Sequence, residues 1–509
     1  MKRPIFTKAP VLYILRPLFF TVCILAVATS QANAANVIKI AGGEGHSLFV
    51  TNDGTLWAMG NNDKGELGDG TYTRRNTPVQ VASNVITVAA GSKHSLFVKN
   101  DGTLWATGLN ATGQLGNDDT KDINTPVQID TDVFAVAAGR WHSLYVKSDG
   151  TLWAMGYNEF GQLGDGTLNV HNTPVQVATN VVAVAAGGNH SLFLKTDGTL
   201  WAMGYNGTGQ LGVDSADYYP DVLDDKFLTP EQIATDVLEI AAGWNHTLFV
   251  KTNGELWAMG WNIDGQLGDG TYMGQGEAVQ IATGVDFVAA GWSHSLFVKT
   301  DGTLWAMGNN IHGQLGDSTT TKRNSPVQVT TDGCVIAAGW HHSLFVKADG
   351  SLWSMGSNVS GQLGAAALPS QSAIPVYIAG DSLPVIATQP VSQTIFEGRS
   401  ATFTVVATGP TPTYQWKKNN EAILGATSAT YTIPSVKASD GGSYTVVVSN
   451  MLGFVTSNAA VLTVSVGGNN GNNNNSSGGG GGGAPSLLWL GVVGVMFALR
   501  RVRKFQALF

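Results

Sequence analysis

Residues 84–129 read NVITVAAGSKHSLFVKNDGTLWATGLNATGQLGNDDTKDINTPVQI, and close variants of this stretch fill most of the chain. A His followed by Ser or Thr and then Leu recurs every 48 residues, with one longer step of 56 residues. A Trp follows each His eleven residues later. The seven copies of this pair are His46 and Trp57, His94 and Trp105, His142 and Trp153, His190 and Trp201, His246 and Trp257, His294 and Trp305, and His342 and Trp353. A period of this length indicates a structural unit that stacks on its neighbours.

Each unit is predicted to form four short strands, which in the second unit are Val85–Ala89, His94–Lys99, Leu104–Gly108 and Val127–Ile129. Asp101-Gly102 joins the middle pair and is predicted to form a type I′ turn, because that turn needs positive φ angles. The strands are apolar on both faces, as is typical of sheets that are covered on both sides. Seven such sheets favour an all-β fold with a closed β-propeller, and an open solenoid is the alternative.

The motifs AAGxxHSL, DGTLWAMG, NxxGQLGDGT and TPVQV recur through residues 36–380. They resemble the repeat of the regulator-of-chromosome-condensation family. The resemblance implies a seven-bladed β-propeller over residues 35–380. The family's founding activity is nucleotide exchange on a small nuclear GTPase, and the resemblance does not imply that activity here, because a fold does not determine function.

The charge of the chain is unevenly distributed. The first 34 residues and the segment after residue 499 hold eight of the 28 basic residues and none of the 36 acidic ones, so the body between them carries a net charge of −16. Such a body repels phosphate backbones, and nucleic acid is therefore not an expected partner. The two cysteines, Cys23 and Cys334, are too few for a disulfide framework or for a zinc site built on Cys pairs.

Both ends of the chain carry targeting features. Residues 1–34 are predicted to be a secretory signal peptide, with basic residues, an apolar stretch and Ala32-Asn33-Ala34 before the cleavage point. Residues 467–483 form an Asn/Gly-rich linker. Residues 484–509 combine a short apolar segment with a basic tail, which resembles C-terminal sorting signals of Gram-negative bacteria or forms a marginal membrane anchor. We therefore expect an exported protein at the cell surface or outside a Gram-negative bacterium, with transient or C-terminal membrane association.

Residues 384–466 resemble an immunoglobulin-like module of the intermediate set. Trp416 would be its core tryptophan and Tyr444 its corner tyrosine. Val405 and Val446 occupy the two cysteine positions, so this small β-sandwich is expected to fold without a disulfide. We interpret it as a stalk.

Residues that all seven units share are interpreted as scaffold. Each repeated His is expected to hydrogen-bond to backbone within its own blade, and a metal-binding or catalytic role for the ring of histidines is the alternative that we reject. The chain contains no P-loop, HExxH, GxSxG or dinucleotide fingerprint. No catalytic residue, metal site or cofactor is predicted.

Function is expected where the units differ. The first of the two residues before the repeated His is Trp in units five to seven, so Trp244, Trp292 and Trp340 should form an arc on one propeller face, with Trp141 near its other end. These residues either bind a partner or pack between blades. Three further aromatic residues precede the NxxG motif in adjacent units and either extend this surface or pack: Tyr157, Tyr205 and Trp261.

The fourth unit contains an insertion of eight residues that is rich in acids. It is predicted to be a loop that contacts a partner through Asp214, Asp217, Tyr218, Tyr219, Asp221, Asp224 and Asp225. Calcium would suit these oxygen ligands, but their spacing is not that of an EF-hand loop.

These features predict an exported, monomeric surface protein whose propeller binds a protein or a glycan. One alternative is an extracellular enzyme that acts on polysaccharide, which would need two carboxylates placed about 5–10 Å apart in a cleft. A purely structural envelope or matrix protein is the other alternative. Nucleotide exchange is not expected from an acidic, exported chain.

Overall fold

The structure is a computed structural model that describes residues 36–213, 225–365, 368–379, 384–408, 412–450 and 453–465. Across these ranges, strands dominate and the helical structure is confined to the short 3-10 turn Ala438–Asp440. No helix in these ranges has the length and apolarity to cross a bilayer. Each of the seven repeats forms one antiparallel sheet of four strands.

The four strands of each sheet follow one another in sequence from the inner to the outer edge. The inner strands are Val37–Gly42, Val85–Ala90, Val133–Ala138, Val181–Ala186, Val237–Ala242, Val285–Ala290 and Gly333–Ala338. The second strands are His46–Thr51, His94–Lys99, His142–Lys147, His190–Lys195, His246–Lys251, His294–Lys299 and His342–Lys347. The third strands are Leu56–Gly60, Leu104–Gly108, Leu152–Gly156, Leu200–Tyr205, Leu256–Gly260, Leu304–Gly308 and Leu352–Ser357. The outer strands are Arg75–Ala82, Ile123–Asp130, His171–Ala178, Lys226–Ala234, Gln275–Ala282, Arg323–Thr330 and Gln371–Ala379.

The sheets are the blades of a closed propeller. The inner strand of each blade contacts the inner strands of its neighbours, and that of blade 1 also contacts that of blade 7. This closure rules out the open solenoid. The apolar core lies between the blades, because the strands bury both of their faces. At the closing interface, Phe49 and Met59 of blade 1 pack in one cluster with Leu344 and Val346 of blade 7.

Two details of the predicted blade are wrong. Of the residues in the Asp101-Gly102 turn, only Gly102 has a positive φ (+80°), and its N–H donates to the carbonyl of Lys99 at 2.9 Å. The turn is therefore a longer one that ends in a left-handed glycine and not a type I′ turn, and the Asp101 carboxylate accepts the Thr103 N–H at 3.0 Å. The outer strand spans Ile123–Asp130 instead of Val127–Ile129, because pairing with the third strand continues through its polar residues.

The same hydrogen bond recurs at every interface between blades. The imidazole Nε2 of each repeated His lies 2.8–3.2 Å from the hydroxyl of the Ser or Thr that follows the repeated His of the next blade. The seven pairs are His46 and Ser95, His94 and Ser143, His142 and Ser191, His190 and Thr247, His246 and Ser295, His294 and Ser343, and His342 and Ser47. The expectation that each His bonds backbone within its own blade is therefore wrong.

The hydroxyl partners determine which ring nitrogen of each repeated histidine carries a proton. Ser95 Oγ donates to the carbonyl of Glu66 at 2.6 Å, so it accepts a hydrogen bond from His46. His46 must then carry a proton on Nε2. Burial lowers the pKa of His46 to about 3 and that of His94 to about 4, so both stay uncharged at neutral pH.

Residues 384–465 contain a β-sandwich of the predicted immunoglobulin-like type. Its strands are Val385–Thr388, Gln393–Phe396, Ala401–Thr404, Val406–Thr408, Thr413–Lys418, Glu421–Ala422, Thr430–Ile433, Gly442–Asn450, Gly453–Thr456 and Ala460–Ser465. Trp416 is fully buried in the core, together with Val405 and Val446 at the cysteine positions. Tyr444 donates from its hydroxyl to the carbonyl of Asp440 at 2.8 Å. These contacts place Trp416 and Tyr444 as the sequence predicts.

We predict that Ser47→Ala and Ser143→Ala each lower the free energy of unfolding by about 1–3 kcal/mol, because each leaves a buried imidazole and a buried carbonyl without a partner. Urea unfolding followed by Trp fluorescence measures the change. Ser148→Ala is the matched control, since Ser148 is exposed and its loss should cost less than about 0.5 kcal/mol. Equal stability of all four proteins would mean that the buried bonds do not hold the blades together.

Candidate binding face

The variable residues before each repeated His lie at one mouth of the central channel. Only glycine fits at the position that precedes them, because any side chain would clash there. A Cβ on Gly91 would meet His94 Cε1 at 2.3 Å and the carbonyl oxygen of Gly139 at 2.5 Å. Backbone bonds then link these loops around the channel, as between Arg140 N–H and the carbonyl of Gly187 at 3.1 Å. The buried scaffold thus holds the variable residues in fixed places around a cavity of about 120 Å³.

Trp244, Trp292 and Trp340 lie together at this mouth and line the cavity. The rings of Trp244 and Trp292 stack with their centroids 4.8 Å apart. Trp340 meets both of them edge-on, at 4.9 and 4.4 Å. The three residues form a compact cluster, which we call the Trp cluster, rather than an extended arc. Each of them is half-buried, so the cluster packs against itself and also reaches solvent.

Trp141 is joined to the Trp cluster through a cation. The guanidinium carbon of Arg140 lies 3.8 Å from the ring centroid of Trp141 and 4.6 Å from that of Trp244. Burial lowers the pKa of Arg140, although an arginine remains charged in proteins. Arg140 occupies the same place in its blade as the tryptophans do in blades 5 to 7.

The second predicted group of aromatic residues is only partly brought together. Tyr157 contacts Trp141 edge-on at 5.4 Å, and Phe160 lies between Tyr157 and Tyr205, at 6.3 and 5.2 Å. These rings extend the aromatic surface outward from Arg140 across blades 3 and 4. Trp261 is half-buried on the same face, where its backbone N–H donates to the carbonyl of Asn245 at 2.8 Å.

The acidic insertion falls almost wholly outside the described residues. Asp214, Asp217, Tyr218, Tyr219, Asp221 and Asp224 all lie there. Asp225 is described, and its carboxylate accepts from Asn206 Nδ2 at 3.2 Å. Burial raises the pKa of Asp225 above its ordinary value.

The repeated His and hydroxyl pairs cannot serve as catalytic dyads. Both members are buried in every pair, and where the serine proton can be traced, as at Ser95, it already goes to a backbone carbonyl. Within the described ranges, no group of three or more His, Cys, Asp or Glu side chains is placed to hold a metal ion. The side chains that reach this face are aromatic, cationic, aliphatic and acidic, with Glu44 and Glu159 among the acids, and such a mixture suits binding.

Comparisons with protein families identify the propeller. A family model of the RCC1-like domain matches residues 21–283, which is just over half of the chain. The chain belongs to the RCC1-like domain family. Regulator of chromosome condensation (RCC1) repeats match residues 285–314, 334–362 and 301–346 of this RCC1-like protein, and an immunoglobulin domain matches residues 384–450.

Two individual proteins match this RCC1-like protein over short stretches of the chain only. Endoglucanase C of Cellulomonas fimi is 38% identical over 86 residues, which are 16% of this chain and 8% of that protein. The decoration protein of Escherichia phage T5 is 44% identical over 61 residues, 12% of this chain and 37% of that protein. The chain therefore spans well under half of either relative. Prp20p from Saccharomyces cerevisiae shares 24% identity over 65% of this chain and 87% of its own, with a TM-score of 0.58. Human WBSCR16 shares 24% identity over 62% of this chain and 87% of its own, with a TM-score of 0.55. Both structures show the fold alone.

Sequence reasoning missed a set of exposed aliphatic residues on this RCC1-like propeller. Ile263, Ile311 and Val359 directly follow the NxxG asparagine in blades 5 to 7 and are 53%, 57% and 60% exposed. The same position holds Asp63 in blade 1 and Glu159 in blade 3. We call Ile263, Ile311 and Val359 the aliphatic rim. The blades that carry the Trp cluster therefore also carry the aliphatic rim, and comparing this position across the units would have revealed it.

Blade 1 of the RCC1-like propeller departs from the other blades at a buried position. Glu66 stands where the other six units have Gln. Its carboxylate accepts from Asn61 Nδ2 and from the Lys64 N–H, both at 2.8 Å. Burial raises the pKa of Glu66 to about 7. A carboxyl group whose pKa is raised in the folded state stabilises the fold at low pH, and this stability is lost as the pH rises through 7.

We predict that Glu66→Gln raises the free energy of unfolding at pH 8 by about 1–3 kcal/mol and changes it much less at pH 5. Gln is suited to this place, because in blade 6 Gln314 Nε2 donates to Asn309 Oδ1 at 2.9 Å. Urea unfolding at the two pH values measures the difference. An equal gain at both pH values, or none at pH 8, would contradict the assigned pKa.

Proposed function

We propose that this RCC1-like protein is an exported bacterial surface protein whose propeller binds a partner outside the cell. The binding surface is the channel-mouth face, which comprises the Trp cluster, Arg140, Trp141, Tyr157 and Tyr205. The partner is a protein or a glycan. The predicted signal peptide and sorting tail support export, and the immunoglobulin-like domain acts as a stalk that carries the propeller.

One observation carries the proposal. The first residue after the repeated glycine differs from blade to blade, and blades 1, 2 and 4 have Glu44, Ser92 and Gly188 there. The scaffold therefore does not need tryptophan there. Blades 5 to 7 nevertheless place three half-buried indoles in mutual contact, beside a rim of exposed aliphatic residues. Clustered aromatic residues at a concave mouth are typical binding anchors.

Exchange-factor activity is not part of the proposal. The structure of Prp20p was described together with its binding to Gsp1p and histones, but the likeness to this chain is below 25% identity. The body of this chain carries a net charge of −16, which disfavours an association with chromatin.

The full chain should be screened against arrays of bacterial polysaccharides and purified surface proteins, alongside a variant that carries Trp244→Ser and Trp292→Ser. Ser is the residue that blade 2 has at this position. We expect the variant to lose binding by about tenfold or more. Its melting temperature should fall by less than about 5 °C, since the scaffold tolerates Ser there.

Ile86→Ala combined with Phe134→Ala is the matched control. Both residues are exposed and belong to the starts of inner strands, at the channel end opposite the Trp cluster. This control should bind as the wild type does. A folded wild type that binds no probe, or binding that the Trp substitutions leave intact, would contradict the proposed function.

A further inference from the structure

Arg140 is held rigidly at the channel mouth. Its guanidinium lies against the rings of both Trp141 and Trp244, and its backbone N–H is bonded to Gly187. Arginine stacked on indoles loses little freedom when it forms a further hydrogen bond, because the planar fork is already oriented. The scaffold thus presents a fixed cation on the proposed binding face.

Unlike Arg75 and Arg323 of the propeller, Arg140 has no acidic partner among the described residues. Arg75 and Arg323 each pair with an aspartate at 2.6 Å, Asp69 and Asp317 respectively. No carboxylate of the described residues forms such a pair with Arg140. Glu44 acts on it only through its charge, and the buried Nε of Arg140 has no hydrogen-bond partner. The terminal nitrogens of Arg140 are not among the buried atoms, so an incoming carboxylate can form charge-assisted hydrogen bonds with them.

The surroundings favour a side chain as the occupant over a sugar ring. The cavity beside Arg140 measures about 120 Å³, below the roughly 300–1,000 Å³ of pockets that enclose whole small ligands. Trp292 stacks on Trp244 and Arg140 lies over the same indole, so that ring has little free face for a sugar. The exposed aliphatic rim of Ile263, Ile311 and Val359 suits apolar residues of a protein.

We propose that Arg140 is a carboxylate-binding site for a protein partner. An Asp or Glu side chain of the partner forms the two-point contact with the guanidinium, and apolar partner residues next to that acid cover the aliphatic rim. This inference rests on the proposed function and specifies the chemistry of its partner. The site follows from three features together: the clamped guanidinium, the missing acid and the small cavity.

To test this proposal, a display library of random peptides is selected for binding to the immobilised full chain. We expect the selected peptides to carry Asp or Glu among apolar residues. For a synthetic peptide from the selection, Arg140→Gln in the protein and Glu→Gln in the peptide should each weaken binding by about tenfold. The two changes together should cost no more than either one alone, because they remove the same contact.

Lys147→Gln is the matched control for loss of a cation. Lys147 also lies over an indole, 5.2 Å from the ring centroid of Trp153, but it is paired with Asp130 at 2.8 Å. This variant should bind the peptide as the wild type does. The change within the peptide tests the site even if Arg140→Gln disturbs folding.

Several outcomes would overturn the inference. Selected peptides without acids, or peptides that need the Trp cluster but not Arg140, would leave the proposed function standing and remove the carboxylate site. Binding of a polysaccharide but of no peptide would do the same. A dimer of this chain that Arg140→Gln dissociates would make a second copy the occupant. Failure of the folded wild type to bind any peptide, polysaccharide or surface protein would remove both proposals.

Discussion

The rest of this propeller depends on one buried hydrogen bond, which an imidazole donates to a hydroxyl of the next blade. This bond is made at each of the seven interfaces between blades. It joins each blade to the next, and the bond between His342 and Ser47 closes the ring. Because the imidazole lies against the neighbouring loop, only glycine fits before the variable residues. The bond also requires a proton on Nε2, and burial keeps the ring neutral by lowering the pKa of His342 to about 3.

This constraint separates structure from function along the chain. The repeated groups bond to one another inside the fold, through imidazole Nε2 and the hydroxyl, and have little surface with which to act on a partner. The residues between the glycine and the histidine have no such duty and differ from blade to blade. On blades 5 to 7 they form the Trp cluster, and on blade 3 they supply Arg140 and Trp141. The binding face is therefore asymmetric although the scaffold is regular.

The repeat period was enough to predict the propeller, and the spacing of Trp416 and Tyr444 was enough to predict the sandwich. Features that depend on two blades at once could not be predicted in this way. The hydroxyl partner of each His lies 49 or 57 residues further along the chain, or across the closure, so local pattern could not identify it. The sequence placed three tryptophans on one face, but their mutual contact and the cation between Trp141 and Trp244 follow from the curvature of the ring.

Nitrogen NMR of the imidazoles, with histidine labelling of the full chain, tests the central claim most directly. The seven repeated histidines are predicted to appear as neutral rings protonated at Nε2, unchanged between pH 8 and about pH 5 and unaffected by added zinc. His171 and His312 lie outside the ring of buried bonds and provide an internal comparison. Repeated histidines that titrate near pH 6.5 or bind zinc would contradict the account, because the groups that we treat as scaffold would then be accessible.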